Sequence, residues 1–216
     1  KTSVKGSIGG NVTPLLCTYK SMLGNVAEIE AAASGHGFFS LCPEVDGVVR
    51  RVPMVAMVDG EQSPRPALTV EMLRSAFGGN IILTKRDMAG MVSVMLQAPG
   101  GRRFEIPTDS RGRIFVHFAR PDIHNTANNS GRLYVSAIDV LNRSITPDKL
   151  RNKMVLVGIS ATGLKDIRTT PIAPNLPGVE VHANILETIF AANTLEAKAK
   201  SEVIENLKLA AQKDGN

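Results

Sequence analysis

The residues best placed to do covalent chemistry lie in the stretch Gly158-Ile159-Ser160-Ala161-Thr162. It follows an apolar run and departs from the G-x-S-x-G nucleophile elbow only in its last residue, where Thr162 stands for glycine. Asp166 and His182 come later in the chain, which is the serine, acid, histidine order of an acyl-transfer triad. A serine hydrolase using Ser160, Asp166 and His182 is therefore one reading. Against it, Asp166 follows Ser160 closely and His182 comes just after Pro177-Gly178, where a helix would open. A serine ending a strand and hydrogen-bonding its own loop explains the same residues without catalysis.

The same loop supports a binding reading. Open α/β sheets place ligand crevices beyond the ends of their strands. Backbone N–H groups from Ser160 to Gly163, the Asp166 carboxylate, Thr170 and the His182 imidazole would then converge on a small polar ligand. The structural alternative has Asp166 and Thr170 capping turns while His182 satisfies a buried carbonyl. A second cluster, Asp46-Gly47 with Arg50 and Arg51, offers a carboxylate and two guanidiniums beside a tight turn. It reads as an anion site or as a turn closed by a salt bridge. Successive strand residues face opposite ways, so only one of the two arginines can serve a given face. His117, Asp122 and His124 lack metal-ligand spacing, and no phosphate-binding G-x-x-x-x-G-K-[ST] loop occurs. Neither a metal nor any other cofactor is expected.

These residues need a scaffold, and the totals permit one. A chain of 216 residues can bury a full core, and 43% hydrophobic with 21% charged residues is the balance of a folded domain. The net charge of +5 is modest, and the basic pairs Arg50/Arg51 and Arg102/Arg103 lack interleaved aromatics, so nucleic acid is not an expected partner. With aromatics at 4% and no tryptophan, an aromatic ligand cage is excluded. No apolar run approaches the ~20 residues of a spanning helix. Cys17 and Cys42 are the only cysteines. Either they bridge, worth roughly 3–4 kcal/mol in an oxidising compartment, or they are two buried thiols.

Pattern then locates the elements. A strand broken by Pro14 is expected over 12–19, and an alanine-rich helix over 25–33 that stops at Ser34-Gly35-His36-Gly37. Asp46-Gly47 turns the chain into a β-branched strand over 48–58. The spacing of Leu68, Met72, Leu73, Ala76 and Phe77 predicts a helix over 66–77, ended by Gly78-Gly79. Strands are expected over 81–83, 91–96, 104–106 and 114–118, then a long polar loop over 119–131. Ser136 should cap a short helix through Asn142, and the apolar run 153–159 should be a central strand covered on both faces. A loop over 158–177 leads to a helix over 178–193, with Val179, Ala183, Leu186, Ile189 and Phe190 on its apolar stripe. A second, charged helix follows over 196–213. The fold class is α/β, a mixed β-sheet flanked by helices with a long C-terminal helical segment. Residues 1–195 form the domain, and 196–216 a charged helical tail of native or added origin.

Three of these segments together resemble the type-two CHASE domain, the cyclase and histidine-kinase associated sensory extracellular domain. The first runs from Gly37-Phe38-Phe39 to Asp46-Gly47-Val48-Val49-Arg50-Arg51-Val52-Pro53, and the second is Tyr134-Val135-Ser136-Ala137-Ile138-Asp139-Val140-Leu141. The third begins at Lys153-Met154-Val155-Leu156-Val157-Gly158-Ile159-Ser160-Ala161. It continues through Gly163-Leu164-Lys165-Asp166 and Thr170-Pro171 to Pro177-Gly178-Val179-Glu180-Val181-His182-Ala183-Asn184. The likeness covers 25–193. It implies a non-catalytic, extracytoplasmic sensor, on the periplasmic face of a bacterial inner membrane. The family's receptors carry flanking transmembrane helices and a cyclase, kinase or similar output enzyme. It also implies a homodimer answering a small-molecule or protein signal; a dimerisation scaffold without a ligand is the further alternative.

Overall fold

The structure, a computed structural model, describes residues 4–42, 44–119, 134–159 and 166–193. The described chain divides into two units. One takes its residues from Lys1–Cys42, Arg51–Val116 and Ile185–Asn216, the other from Pro43–Arg50 and His117–Asn184. As expected, the class is α/β with mixed pairing, although the strands are shared among several small sheets.

The first unit is built on a four-stranded sheet in the order β1 (Gly6–Ile8), β6 (Ile81–Asp87), β7 (Gly90–Gln97), β8 (Arg103–Pro107). β1 joins β6 in parallel, while β6–β7 and β7–β8 are antiparallel. Each of the three long strands extends past its apolar centre, because the connecting turns satisfy the backbone locally. In the β6–β7 turn the Asp87 carboxylate accepts the N–H groups of Ala89 (2.8 Å) and Gly90 (3.2 Å). β6 buries alternate residues, Ile82 and Thr84, as a strand covered on one face does. β7 buries Val94, Met95 and Leu96 in succession, as a strand covered on both faces does.

The stretch 48–58, expected as one strand, is split. β3 (Arg51–Pro53) pairs antiparallel with β9 (Arg113–Phe115). β4 (Val55–Val58) instead joins β2 (Thr18–Tyr19) in parallel and β5 (Arg65–Pro66) antiparallel. Met54 is the exchange point: its N–H donates to Gly112 (2.9 Å) and its carbonyl accepts from Ala67 (2.9 Å). Its side chain is fully buried, as are Val55 and Ala56. The weak strand expected over 12–19 is reduced to β2, because Pro14 sits in a 3₁₀ turn over Thr13–Leu15.

Two helices form where expected. α1 (Ala27–Ala32) buries none of its residues. α2 (Leu68–Ala76) buries Thr69, Val70, Glu71 and Leu73, a face turned away from the expected Met72 and Ala76. Burial of Glu71 is tolerable because Arg74 meets it at 2.6 Å and 2.9 Å. Gly37 lies against the start of this helix, where a Cβ would come within 2.5 Å of Leu68 Cα and 2.6 Å of its nitrogen. Close approach lets Phe38 exchange hydrogen bonds with Pro66 (3.0 Å) and Leu68 (2.7 Å).

In the second unit, α3 (Ala137–Leu141) follows Ser136 as expected, although the serine side chain makes no capping bond. β10 (Ile167–Thr170) and β11 (Ala173–Pro177) form an antiparallel hairpin in the stretch expected to be a loop. A two-stranded sheet has only edge strands, so Pro174 and Pro177 cost it little pairing. The expected central strand over 153–159 is not found: these residues carry no strand, and Val155 (50%), Val157 (90%) and Ile159 (47%) are exposed. An unbroken apolar run signals a need for cover, but it does not supply the paired backbone that makes a strand. The helix α4, over 178–193, starts in this unit and passes the boundary between Asn184 and Ile185. The polar stretch 120–133 and the charged helix expected over 196–213 lie outside the described residues.

Gly37→Ala should force the first turn of α2 to move and cost about 1–3 kcal/mol. A melting temperature lowered by about 5 °C in calorimetry would be the sign, and an unchanged one would show that the close approach is not required.

Candidate functional site

The residues singled out around Ser160 are placed by the β10–β11 hairpin and the opening of α4. Pro177 ends β11 and Gly178 opens the helix, with its N–H donating to the Asp166 carbonyl at 2.8 Å. The Asp166 carboxylate lies over Gly178 so closely that any Cβ there would overlap it. It also meets Arg168 at 3.2 Å. A carboxylate against the first residue of a helix is favoured by the helix dipole, so Asp166 fastens the hairpin to α4. Gly158 is fitted in the same way, since a Cβ on it would overlap the Val179 side chain.

Thr170 sits at the other end of β10. Its hydroxyl donates to the Ala173 carbonyl at 3.0 Å and accepts the Ala173 N–H at 3.2 Å, closing the hairpin turn. Four residue steps along extended backbone separate it from Asp166, about 13 Å at ~3.3 Å each. Asp166 and Thr170 therefore hold opposite ends of the hairpin and do not meet on one small ligand. His182 is buried in the second turn of α4, at 9% exposure. Ser160 and Gly163 lie outside the described residues, so neither a triad nor a loop of converging N–H groups is assembled by the described ones.

The first turns of α4 bury more polar groups than a surface helix does. Glu180, His182 and Asn184 are all buried, beside Val181, Ile185, Leu186 and Ile189. Of the expected stripe, Leu186 and Ile189 are buried, Val179 and Ala183 are half-buried and Phe190 is exposed. Asn184 is fully buried and uses both ends of its amide. Nδ2 donates to the Glu180 carbonyl at 2.7 Å, and Oδ1 accepts the Ala119 N–H at 2.8 Å. It ties the helix to the point where the chain leaves for the polar stretch. Nothing in the spacing of apolar residues marks it; the available signal was its place in the Gly178-to-Asn184 segment that carries the family likeness.

The Asp46 cluster closes on itself. Asp46 accepts the Val48 N–H at 3.0 Å and meets Arg50 Nη1 at 2.7 Å, while Glu44 lies 3.4 Å from the same nitrogen. Those two partners, the Val48 N–H first and Arg50 second, hold the Asp46 carboxyl below its usual range. Two carboxylates around one guanidinium leave the cluster net negative, which favours the turn over anion capture. The Arg51 guanidinium stands 5.4 Å from the centre of the Phe115 ring.

The first unit holds a cleft of about 250 Å³ that the sequence did not announce. Ile106, Ile114, Phe115 and Ile189 form its apolar walls, and Asp109 and Arg113 lie on its rim. Asp109 accepts the N–H groups of Arg111 and Arg113 and the Arg113 Nε, each at 2.9 Å. Burial raises its pKa, but these bonds outweigh it and hold the carboxyl below the ordinary 3.8. Among the described residues, no helix is long and apolar enough to cross a membrane.

The profile of the CHASE2 domain family matches residues 3–211. The chain belongs to the CHASE2 domain family. This is a family of sensory extracellular domains, so the CHASE2 assignment makes the chain a non-catalytic sensor domain by family. The match contains the three segments that suggested it and runs into the charged stretch after Leu195. No curated protein and no solved structure matches the chain at the significance required.

Asn184→Ala should leave the Ala119 amide and the Glu180 carbonyl short of a buried partner, costing about 1–3 kcal/mol by chemical denaturation. Asn184→Asp, which keeps the acceptor for Ala119 alone, should recover only part of that. The depressed Asp109 pKa contributes stability that is present above the unfolded value of 3.8 and lost as pH falls through the folded value. Asp109→Asn should therefore flatten the acid side of a stability-against-pH curve. An unaltered acid side would remove Asp109 from the account.

Proposed function

We propose that this CHASE2 domain is the extracytoplasmic input region of a membrane-anchored receptor whose output enzyme is an adenylate or guanylate cyclase, a histidine kinase or a similar signalling enzyme. The observation that carries the proposal is the family match over 3–211, nearly the full length of the chain. A disulfide between Cys17 and Cys42 supports it, because such a bond persists in the oxidising space outside the cytoplasm.

The domain acts by population shift: a small-molecule or protein signal that binds one arrangement better than another changes how often each is occupied. Coupling of ~1–3 kcal/mol is enough for a useful signal. α4 suits transmission, since its first turns are fixed by Asp166 and Asn184 and its far end leads towards the C-terminus. Receptors of this kind work as homodimers held by flanking transmembrane helices, which sets the copy number we propose here. Residues 1–195 are the sensing domain in this reading, and 196–216 carry its movement onward. The Asp166 end of the hairpin, with Ser160, Gly163 and His182 nearby in sequence, is the region where the polar signal is sought first.

The decisive measurement is topological. Alkaline phosphatase joined after residue 216, within the parent protein and its own flanking sequence, should be enzymatically active, because that enzyme matures only outside the cytoplasm. A β-galactosidase fusion at the same point should be silent. The opposite pair of results would refute the proposal.

A further inference from the structure

We infer that the Cys17–Cys42 disulfide is a redox-cleavable latch on residues 17–42, so that the thiol–disulfide state of the surroundings is itself an input to this domain. The bridge spans 25 positions with a Cα–Cα distance of 6.4 Å, and it lies wholly within the first unit. None of the residues in this stretch is buried. The four-stranded sheet and α2 hold themselves by burying side chains such as Ile82, Val94, Leu96 and Leu73; residues 17–42 have no such anchor.

Their other ties lie mostly at the ends, with Arg74 Nη2 donating to the Ser34 carbonyl at 3.3 Å between them. Met57 and Asp59 donate to the carbonyls of Cys17 and Tyr19, both at 2.9 Å, and Phe38 exchanges bonds with Pro66 and Leu68. The Tyr19 hydroxyl donates to the Ser40 carbonyl at 3.1 Å, and the rings of Tyr19 and Phe38 stand 5.9 Å apart. Between the ends, α1 and the residues before it present Met22 (45%), Leu23 (99%), Val26 (62%) and Ile29 (60%) to solvent. Both cysteines are themselves partly exposed. A cross-link that is reachable, and that fixes a loop without a core of its own, is the kind that reduction releases locally without unfolding the rest.

The reaction balances with a dithiol as reductant. One of its thiolates attacks either Sγ, breaking the protein disulfide and forming a mixed disulfide. Its second thiol then displaces that sulfur. Two electrons and two protons end on Cys17 and Cys42 as thiols, and the reductant leaves as its disulfide.

The test uses the full purified chain, with dithiothreitol as the dithiol. Reduction should speed hydrogen exchange at the amides of Met57, Asp59 and Leu68 at least tenfold, and cleavage at Glu28 and Glu30 by a glutamate-specific protease by a similar factor. Amides of β6 to β8 should keep their protection. The Cys17→Ser/Cys42→Ser variant should behave like the reduced protein and ignore dithiothreitol. Loss of protection throughout the chain on reduction would make the bond a global staple and overturn the inference, and so would no change anywhere. Two titratable thiols in the denatured, unreduced protein would remove the bridge altogether. The latch is argued from the loop alone and tested on purified protein, so its failure is separable from that of the topological test.

Discussion

A buried amide must use its donor and its acceptor together, and Asn184 is where this chain meets that requirement. Its side chain is fully buried within the first two turns of α4, with one end on the Glu180 carbonyl and the other on the Ala119 N–H. The second of these bonds joins parts of the chain 65 positions apart. It sets where α4 begins, and therefore where Gly178 must sit for Asp166 to lie across it. That placement in turn fixes the open end of the β10–β11 hairpin, while Thr170 closes the other. An apolar residue at 184 would suit the burial but leave the Ala119 N–H without this acceptor. Polar burial here gives position rather than stability, since the net worth of such a bond is only about 1 kcal/mol.

The same polar burial explains which parts of the fold were legible. Helices over 66–77 and 178–193 and strands around 81–83, 91–96 and 104–106 follow from the length and spacing of their apolar residues. Which face each helix buries is another matter. In α2 the buried side includes Thr69 and Glu71, and in α4 it includes Glu180, His182 and Asn184. Counting only apolar residues therefore leaves out the polar members of both buried faces. The β-branched stretch 48–58 illustrates a different gap: composition shows that it pairs, yet not that Met54 hands the chain from one partner to another. For 153–159 composition was misleading, since four apolar residues in a row describe a demand for cover and not the backbone geometry that meets it.

Of the candidate site, single residues were readable and their convergence was not. Arg50 and Arg51 are neighbours in sequence with different partners: Asp46 and Glu44 hold the first, and the Phe115 ring lies by the second. A crevice beyond a strand end would bring Asp166 and Thr170 together on one ligand. A strand lies between them, and extended backbone carries near neighbours in sequence far apart in space. Residues whose importance is a missing side chain, Gly158 and Gly178, leave no chemical signature at all; only the family likeness draws the eye to them.

A sensor must combine a part that holds with a part that yields, and the distribution of burial in this chain separates the two. The deeply buried side chains belong chiefly to β4, β7, α2 and the later turns of α4, elements held by apolar area and hence by a broad, non-directional force. Among the described residues, 17–42, α3 and 153–159 bury no side chain, rest on hydrogen bonds, turns and, in the first of them, one covalent link, and expose apolar side chains such as Leu23, Leu141 and Val157. Directional ties of this kind fail one at a time, whereas a packed core fails as a whole. A stimulus of a few kcal/mol can therefore act on the former and leave the latter standing. For a domain of a sensory family, that difference is the physical basis on which the proposed signals would act.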